Sequence, residues 1–310
     1  MKTLLFAKLE KQQDFLSEDC KLAFNFDIMI HPIESREKLQ NEIKKRDSKN
    51  LGFVPTMGAL HKGHLSLIQR SIVENDRVVV SLFVNPTQFN SSKDLKHYPK
   101  VIEEDLLKLT PYADQLLVFT PTAKELYGNQ IVAKTFDFKG LDLYMEGASR
   151  PHHFQGVATI VEILIDIIQP TRLYLGEKDF QQLQIIRFIK QQLRWTTQVI
   201  ACPTIRESNG LAMSSRNIKL SQDLRKQSQS IYQSLLYAKE AIKTHPIPLI
   251  KREVTKRINR LPNLKLDYFE IVEPNTLIPI SRAQKGQSFR GCIAVHVDTI
   301  RLIDNIEICY

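Results

Sequence analysis

The chain has 310 residues, 43% hydrophobic and 25% charged, with a formal net charge of +9. That is the composition of an ordinary folded protein with room for one large or two medium domains and an ample core. It excludes two classes: no apolar run is long enough to span a bilayer, and the scattered Cys20, Cys202, Cys292 and Cys309 form no disulfide framework, which points to a reducing, cytoplasmic compartment.

Residues 1–25 are mixed in charge and weakly patterned, and read as an extension without a motif. Lys8, Glu10 and Lys11 interrupt the short apolar patch of Met1 to Phe6 before a secretory apolar region forms. From Phe26 the pattern becomes regular, with a strand predicted at Asp27–His31 and a helix from Ile33 to Arg46. Further strands are predicted at Leu51–Val54, Val78–Val84, Gln115–Phe119, Arg172–Leu175 and Thr197–Ala201, with helical stretches in most of the gaps. This alternation predicts an α/β fold, a Rossmann-like doubly wound parallel sheet. From Leu220 the pattern changes. A helix runs to about Thr244, His245-Pro246-Ile247-Pro248 breaks it, and a basic helix follows. Strands come next at Leu264–Ile271 and Gly291–Val297, with Thr299–Ile303 continuing the last one. The expected organisation is an extension over 1–25, a nucleotide-binding domain over 26–204 and a smaller α+β domain over 205–310.

Charge is uneven between these parts. Residues 1–203 hold 26 Lys/Arg against 24 Asp/Glu, and residues 204–310 hold 17 against 10, so +7 lies in the last third. A basic smaller domain suits covering an anionic ligand held by the larger one, or binding nucleic acid. Lys251, Arg252, Lys256, Arg257 and Arg260 have the spacing of a solvated helix face, and no aromatic-rich RNA-binding signature accompanies them, so nucleic acid is not the expected partner.

The stretch from Gly52 to His64 sets His61 and His64 three residues apart behind a Gly-containing turn, at the expected start of a helix carrying Leu65, Ile68 and Ile72 on one face. Unpaired N–H groups and the positive end of a helix dipole favour anionic oxygens at such a place. Alone, the pair is also compatible with half a metal site or a simple helix cap; zinc would need further ligands, and no second histidine pair at helical spacing and no C-x-x-C is present. In a doubly wound sheet ligands sit beyond the carboxyl ends of the strands. The unusual polar residues fall there: Pro55 to His64, Asn85 to Phe89, Gly176 to Gln182, and Pro203 to Arg206 leading to Gly210 through Asn217. A Lys and an Arg approaching phosphates above a histidine pair would stabilise charge during phosphoryl or adenylyl transfer.

The ordered blocks VPTMGALHKGHLSLI, FVNPTQF, SRPHHFQGVATIV, GEKDFQQ and GLAMSSRN resemble the pantoate-beta-alanine ligase family of the nucleotidylyltransferase superfamily, over about Asp27 to Asn305. The resemblance implies that ATP and pantoate give pantoyl adenylate and pyrophosphate, and that the amine of beta-alanine then yields pantothenate and AMP. It implies an ATP site of Met57, Gly58, Ala59, Leu60, His61, Lys62, Gly63 and His64, a second segment of Gly176, Glu177, Lys178 and Asp179, the backbone of Ile205, and a lid of Met213, Ser214, Ser215 and Arg216. His61, His64, Lys178 and Arg216 are the implied catalytic residues, Gln88 and Gln182 the pantoate ligands, and Gln88 with Asn85 the beta-alanine ligands. Magnesium is implied with ATP. Glu104 and Asp105 align with acidic residues assigned to metal in some relatives, while Lys108 stands where such a relative has a neutral ligand, and a solvated acidic helix face is the other reading of Glu103 to Asp105. Arg150, His152 and His153 are assigned to loop structure or a subunit interface, and a homodimer through the larger domain is expected. Two other functions fit the general pattern. An adenylyltransferase for a phosphorylated substrate is disfavoured by the neutral amides of Gln88 and Gln182, and a non-catalytic nucleotide or RNA binder by the intact His61, His64, Lys178 and Arg216.

Overall fold

The computed structural model describes residues 30–45 and 49–310. The expected extension lies outside the described residues, as do Asp27 to Met29 of the first expected strand and Arg46 of the first helix. In chain order the larger unit runs α1 (Arg36–Lys44), β1 (Leu51–Thr56), α2 (Lys62–Glu74), β2 (Arg77–Leu82), α3 (Ser92–His97), α4 (Ile102–Leu109), β3 (Leu116–Phe119), α5 (Ala123–Tyr127), α6 (Met145–Ser149), α7 (His153–Ile168), β4 (Arg172–Gly176), α8 (Phe180–Gln192) and β5 (Gln198–Cys202). Its five strands lie in the order β3-β2-β1-β4-β5 and every pair is parallel. The order reverses between β1 and β4, which opens a crevice beyond their carboxyl ends.

Parallel strands covered on both faces must be apolar on both faces, and Val78, Val79, Val80, Phe53, Val54 and Leu173 are all fully buried. One layer of the core packs α7 and α8 against Phe53, Val79 and Leu173. The other packs Leu67 and Ile68 of α2 against Val54, Val80 and Tyr174. Gly52 admits α2 close to β1, because a Cβ there would overlap the Ser71 hydroxyl and stand 2.8 Å from Asn75 Nδ2.

The smaller unit contains α9 (Gln222–Ala241), α10 (Ile247–Asn259), β6 (Leu264–Val272), β7 (Ser288–Val297) and β8 (Ile300–Cys309). The three strands form an antiparallel sheet in the order β6-β7-β8. Ile231 and Leu235 of α9 and Ile250 and Val254 of α10 pack onto Ile293 and Val295 of β7. Fully burying side chains of this size stabilises by about 1.5–3 kcal/mol each, so the smaller unit carries a core of its own. Arg252, Lys256 and Arg257 face outward on α10, with Arg260 exposed just after it, as their spacing predicts, whereas Lys251, expected on the same face, is half-buried and pairs with Glu270 of β6.

Three expected elements differ in detail. Ile30 and His31 are not in a strand; instead Ile33 makes an isolated parallel bridge to Phe119, and the helix begins only after Ser35, whose hydroxyl accepts from Lys38 N–H. Pro248 lies inside the first turn of α10 rather than in the break, a position where the missing N–H has no helical partner to lose. Thr299–Ile303 does not continue β7. The chain reverses over Asp298, which takes a left-handed φ of 53°, and β8 returns antiparallel through Cys309.

Candidate active site

The loops after β1, β2, β4 and β5 converge with residues of the smaller unit around one cavity of about 810 Å³. Met57, His61, Gly63, His64, Gln88, Gly176, Lys178, Asp179, Gln182, Ile205, Met213, Ser214, Ser215 and Arg216 line it. A Cβ at Gly176 would meet nothing within 4 Å, so that wall is bare backbone with space in front of it.

His61 caps α2. Its Nδ1 accepts the Gly63 N–H at 3.1 Å, while His64 Nδ1 accepts the His61 N–H at 3.4 Å, and the rings stack with centroids 4.0 Å apart. Both Nδ1 atoms are therefore acceptors, which leaves Nε2 to carry the proton of each neutral ring. Burial, reinforced by the Lys178 charge, lowers the His61 pKa to about 4. Burial, then His61 and Lys178, hold the His64 pKa well below the ordinary imidazole value. Gly63 has no Cβ because one would stand 2.9 Å from the His61 ring.

The turn preceding α2 does not present a set of unpaired N–H groups. Gly58 N–H donates to Thr56 Oγ1 at 3.1 Å, and Ala59 and Leu60 N–H donate to the two oxygens of Asp105 at 2.7 Å each. Lys108 Nζ donates to the Leu60 carbonyl at 2.9 Å. This corrects the expectation of free backbone donors: the helix end reaches the cavity through the imidazoles, whose Nδ1 atoms take up the backbone N–H groups. It also bears on the expected metal site. Asp105 is fully buried beneath the turn, Glu104 is exposed, and neither lines the cavity. With both carboxylate oxygens already accepting, Asp105 does not fit direct metal ligation, and among the described residues no cluster of three His, Cys, Asp or Glu side chains could hold a metal ion.

Asn85 is likewise buried away from the cavity. Its Nδ2 donates to Gln88 Oε1 and to the Gly156 carbonyl, both at 3.1 Å, and its Oδ1 accepts from the hydroxyls of Thr87 and Tyr127 at 3.1 and 2.5 Å. Its geometry is that of a brace for the one-turn helix Pro86–Gln88, which contradicts direct contact between its side chain and a ligand. Glu177 also turns from the cavity, pairing with Arg290 of β7 at 3.0 Å, while Asn305 of β8 donates to the carbonyls of Glu177 and Lys178 at 2.9 and 2.8 Å. Lys178 itself faces the cavity and pairs with Asp179 at 3.1 Å; burial pushes the Asp179 carboxyl up, but the charge and hydrogen bond of Lys178 together with His153 and Arg150 hold it below its ordinary value.

The segment entering the smaller unit is seated on the larger one. Ser215 Oγ donates to the Ala59 carbonyl at 3.0 Å, Arg216 reaches Asp94 of α3 at 3.1 Å, and Lys219 Nζ donates to the His97 carbonyl at 2.8 Å. The Ile205 carbonyl accepts Met213 N–H at 2.9 Å, which fixes the edge where the chain crosses.

A sequence profile described as pantoate-beta-alanine ligase matches residues 29–307. The chain belongs to that family. Pantothenate synthetase from Flavobacterium psychrophilum is 46% identical over 263 residues, covering 85% of this chain and 93% of its own. The Bacteroides fragilis pantothenate synthetase is 43% identical over 281 residues, covering 90% and 98%. Among solved structures, pantothenate synthetase from Thermus thermophilus superposes with a TM-score of 0.83 at 38% identity, covering 91% of this chain and all of that one. Pantoate-beta-alanine ligase from Francisella tularensis, solved with beta-gamma ATP and beta-alanine, gives 0.74 at 31% identity, covering 89% and 97%.

Sequence reasoning about the family blocks missed the part played by Arg150 and His153. Both line the cavity. Arg150 donates to His153 Nε2 at 3.2 Å, so the His153 proton sits on Nδ1 and is donated to the Gln88 carbonyl at 2.9 Å. Burial, aided by the Arg150 charge, lowers the His153 pKa to about 4 and keeps this arrangement neutral. The sequence signal was present in the block from Ser149 to Val161, but only the fold shows that α7 lies across the Pro86–Gln88 turn.

Proposed function

We infer that this chain is an AMP-forming pantoate-beta-alanine ligase, which condenses pantoate with beta-alanine at the expense of ATP. The observation that carries the reading is the content of one cavity: a stacked pair of neutral histidines, Lys178 and Arg216 for an anionic nucleotide, and the neutral amides Gln88 and Gln182 for a hydroxy acid. Family membership supports it.

In the first step a pantoate carboxylate oxygen attacks the α-phosphorus, the bond between that phosphorus and the bridging oxygen breaks, and pyrophosphate leaves. The Nε2–H groups of His61 and His64 donate to phosphate oxygens, and these bonds strengthen as charge grows on them. Lys178 and Arg216 neutralise the polyphosphate. Gln88 and Gln182 orient pantoate, so that an encounter between two solutes becomes a positioned reaction. In the second step the beta-alanine amine attacks the acyl carbon, the acyl C–O bond breaks, AMP leaves and the amine loses a proton. Enclosure by Met213 to Arg216 protects the adenylate from water. Magnesium accompanies ATP as the counter-ion of its phosphates, a mode in which the ion keeps its waters and needs few protein ligands. Met57, Gly63, Gly176, Asp179 and Ile205 form the remaining nucleotide wall in this assignment, with Gly58, Ala59, Leu60 and Lys62 shaping the turn behind it. We place the boundary between the units at 204, and propose a homodimer through the larger one, supported by the exposed Ile131, Val132 and Leu143.

Incubation with ATP, magnesium, pantoate and beta-alanine tests the reading. Pantothenate, AMP and pyrophosphate are expected in equal amounts, with His64→Ala slower by about a hundredfold or more while still folded. Pantothenate formation at an unchanged rate in that variant removes His64 from the chemistry, and none in the parent protein removes the assignment.

A further inference from the structure

We propose that Arg301, on β8 of the smaller unit, sets the position of Gln88 in the larger unit through Glu146, Arg150 and His153, so that docking of the smaller unit tunes the hydroxy-acid pocket. This rests on the assignment of Gln88 to pantoate.

The contacts form an unbroken chain. Arg301 holds the Glu146 carboxylate with both terminal nitrogens, at 2.9 and 2.7 Å. The Tyr268 hydroxyl donates to the same carboxylate at 2.9 Å, and Arg150 approaches its far oxygen at 3.5 Å. Arg150 in turn donates to His153 Nε2 at 3.2 Å and to the Gln88 carbonyl at 3.3 Å, and His153 Nδ1 donates to that carbonyl at 2.9 Å. Glu146 is buried, and its peptide N–H donates to Gln181 Oε1 at 2.9 Å, so α6 cannot drift without breaking this set.

On the other side, Arg301 is fixed as firmly. Asp267 accepts from its Nε and one terminal nitrogen at 3.0 and 2.8 Å. The register of β6 against β7 shifts between Leu266 and Tyr268, and this bulge lets two consecutive side chains, Asp267 and Tyr268, act on the same cluster instead of on opposite faces. Two further carboxylates act on Arg150 electrostatically besides Glu146: Asp94, which is held by Arg216, and Asp179, which is paired with Lys178. A bidentate guanidinium pair is directional, unlike the point charge of an ammonium, so the chain transmits position as well as charge.

The test is amide hydrogen exchange over Phe83 to Asn90 together with the KM for pantoate, in Arg301→Lys, His153→Ala and the double variant; Arg301→Lys keeps the charge and the fold while removing the fork. Arg301→Lys is expected to speed exchange in that segment and raise the pantoate KM about tenfold, an effect within the range for contacting residues, with ATP KM little changed. Adding it to His153→Ala should change neither further. Wild-type exchange in Arg301→Lys, or full additivity in the double variant, overturns the coupling. The exchange result needs no substrate, so a parent protein that ignored pantoate would sink the functional assignment and leave the coupling to be decided by exchange alone.

Discussion

Asp105 shows how a residue's chemistry depends on what it already touches. A carboxylate accepting two short backbone N–H bonds beneath the Gly58–Leu60 turn is a positioning residue. Asp105→Asn would turn one acceptor into a donor facing a donor, costing about 1.5–3 kcal/mol. The expected outcome is a raised KM for ATP with an unchanged magnesium concentration for half-maximal rate; a shifted magnesium dependence would instead make Asp105 a ligand. The histidines give a second prediction at this scale. His61 and His153 are held neutral to about pH 4, whereas an unfolded imidazole takes a proton near 6.5. Between those values the unfolded chain binds more protons, so stability is lost as pH falls from about 6.5 to about 4. Thermal melting across that range should show the decline, with a smaller slope in His153→Asn; equal slopes would mean that His153 is protonated in the fold. The sequence brought His61, His64, Gln88 and Lys178 together as candidates because their blocks are local, and all four line the one cavity. Asn85, Glu177 and Asp105 were legible as belonging to the site but not as its braces, since each one's partners lie far away in the chain.

At the scale of elements, α7 and the Pro86–Gln88 turn form a unit that no short pattern reveals. Gly156 brings the two backbones together: a Cβ there would overlap the Thr87 carbonyl and stand 2.6 Å from Gln88 nitrogen. Gly156→Ala should therefore cost about 1–3 kcal/mol in urea unfolding and weaken pantoate more than ATP in calorimetric titrations. Equal weakening of both ligands would show that the damage spreads beyond the turn. The strands were readable from apolar runs such as Val78–Val80, and α2 from its periodicity and its histidine cap. The start of α1, the position of Pro248 within α10 and the separate strand β8 were not, because the Ser35 cap, a tolerated N-terminal proline and a reversal over Asp298 each depend on one local geometry rather than on a pattern.

For the whole molecule, the two units meet over the cavity, and the smaller one contributes Ser215 and Arg216 directly. The +7 of the last third is not all gathered there, since three basic residues of α10 and Arg260 just after it face solvent. What matters is the seating of a few groups: Ser215 on the Ala59 carbonyl and Arg216 beside Asp94. If Arg216 neutralises the polyphosphate chiefly as charge develops, exchanging Asp94 for it, Arg216→Ala should slow adenylate formation about a hundredfold while changing ATP affinity much less. A normal single-turnover rate with weaker ATP binding would confine Arg216 to ground-state binding. The most direct measurement of the central claim separates the two half-reactions. Protein mixed with ATP, magnesium and pantoate, without beta-alanine, should release one pyrophosphate per site and retain AMP until the amine is added. Pyrophosphate release that does not need pantoate, or AMP release that does not need beta-alanine, would contradict it.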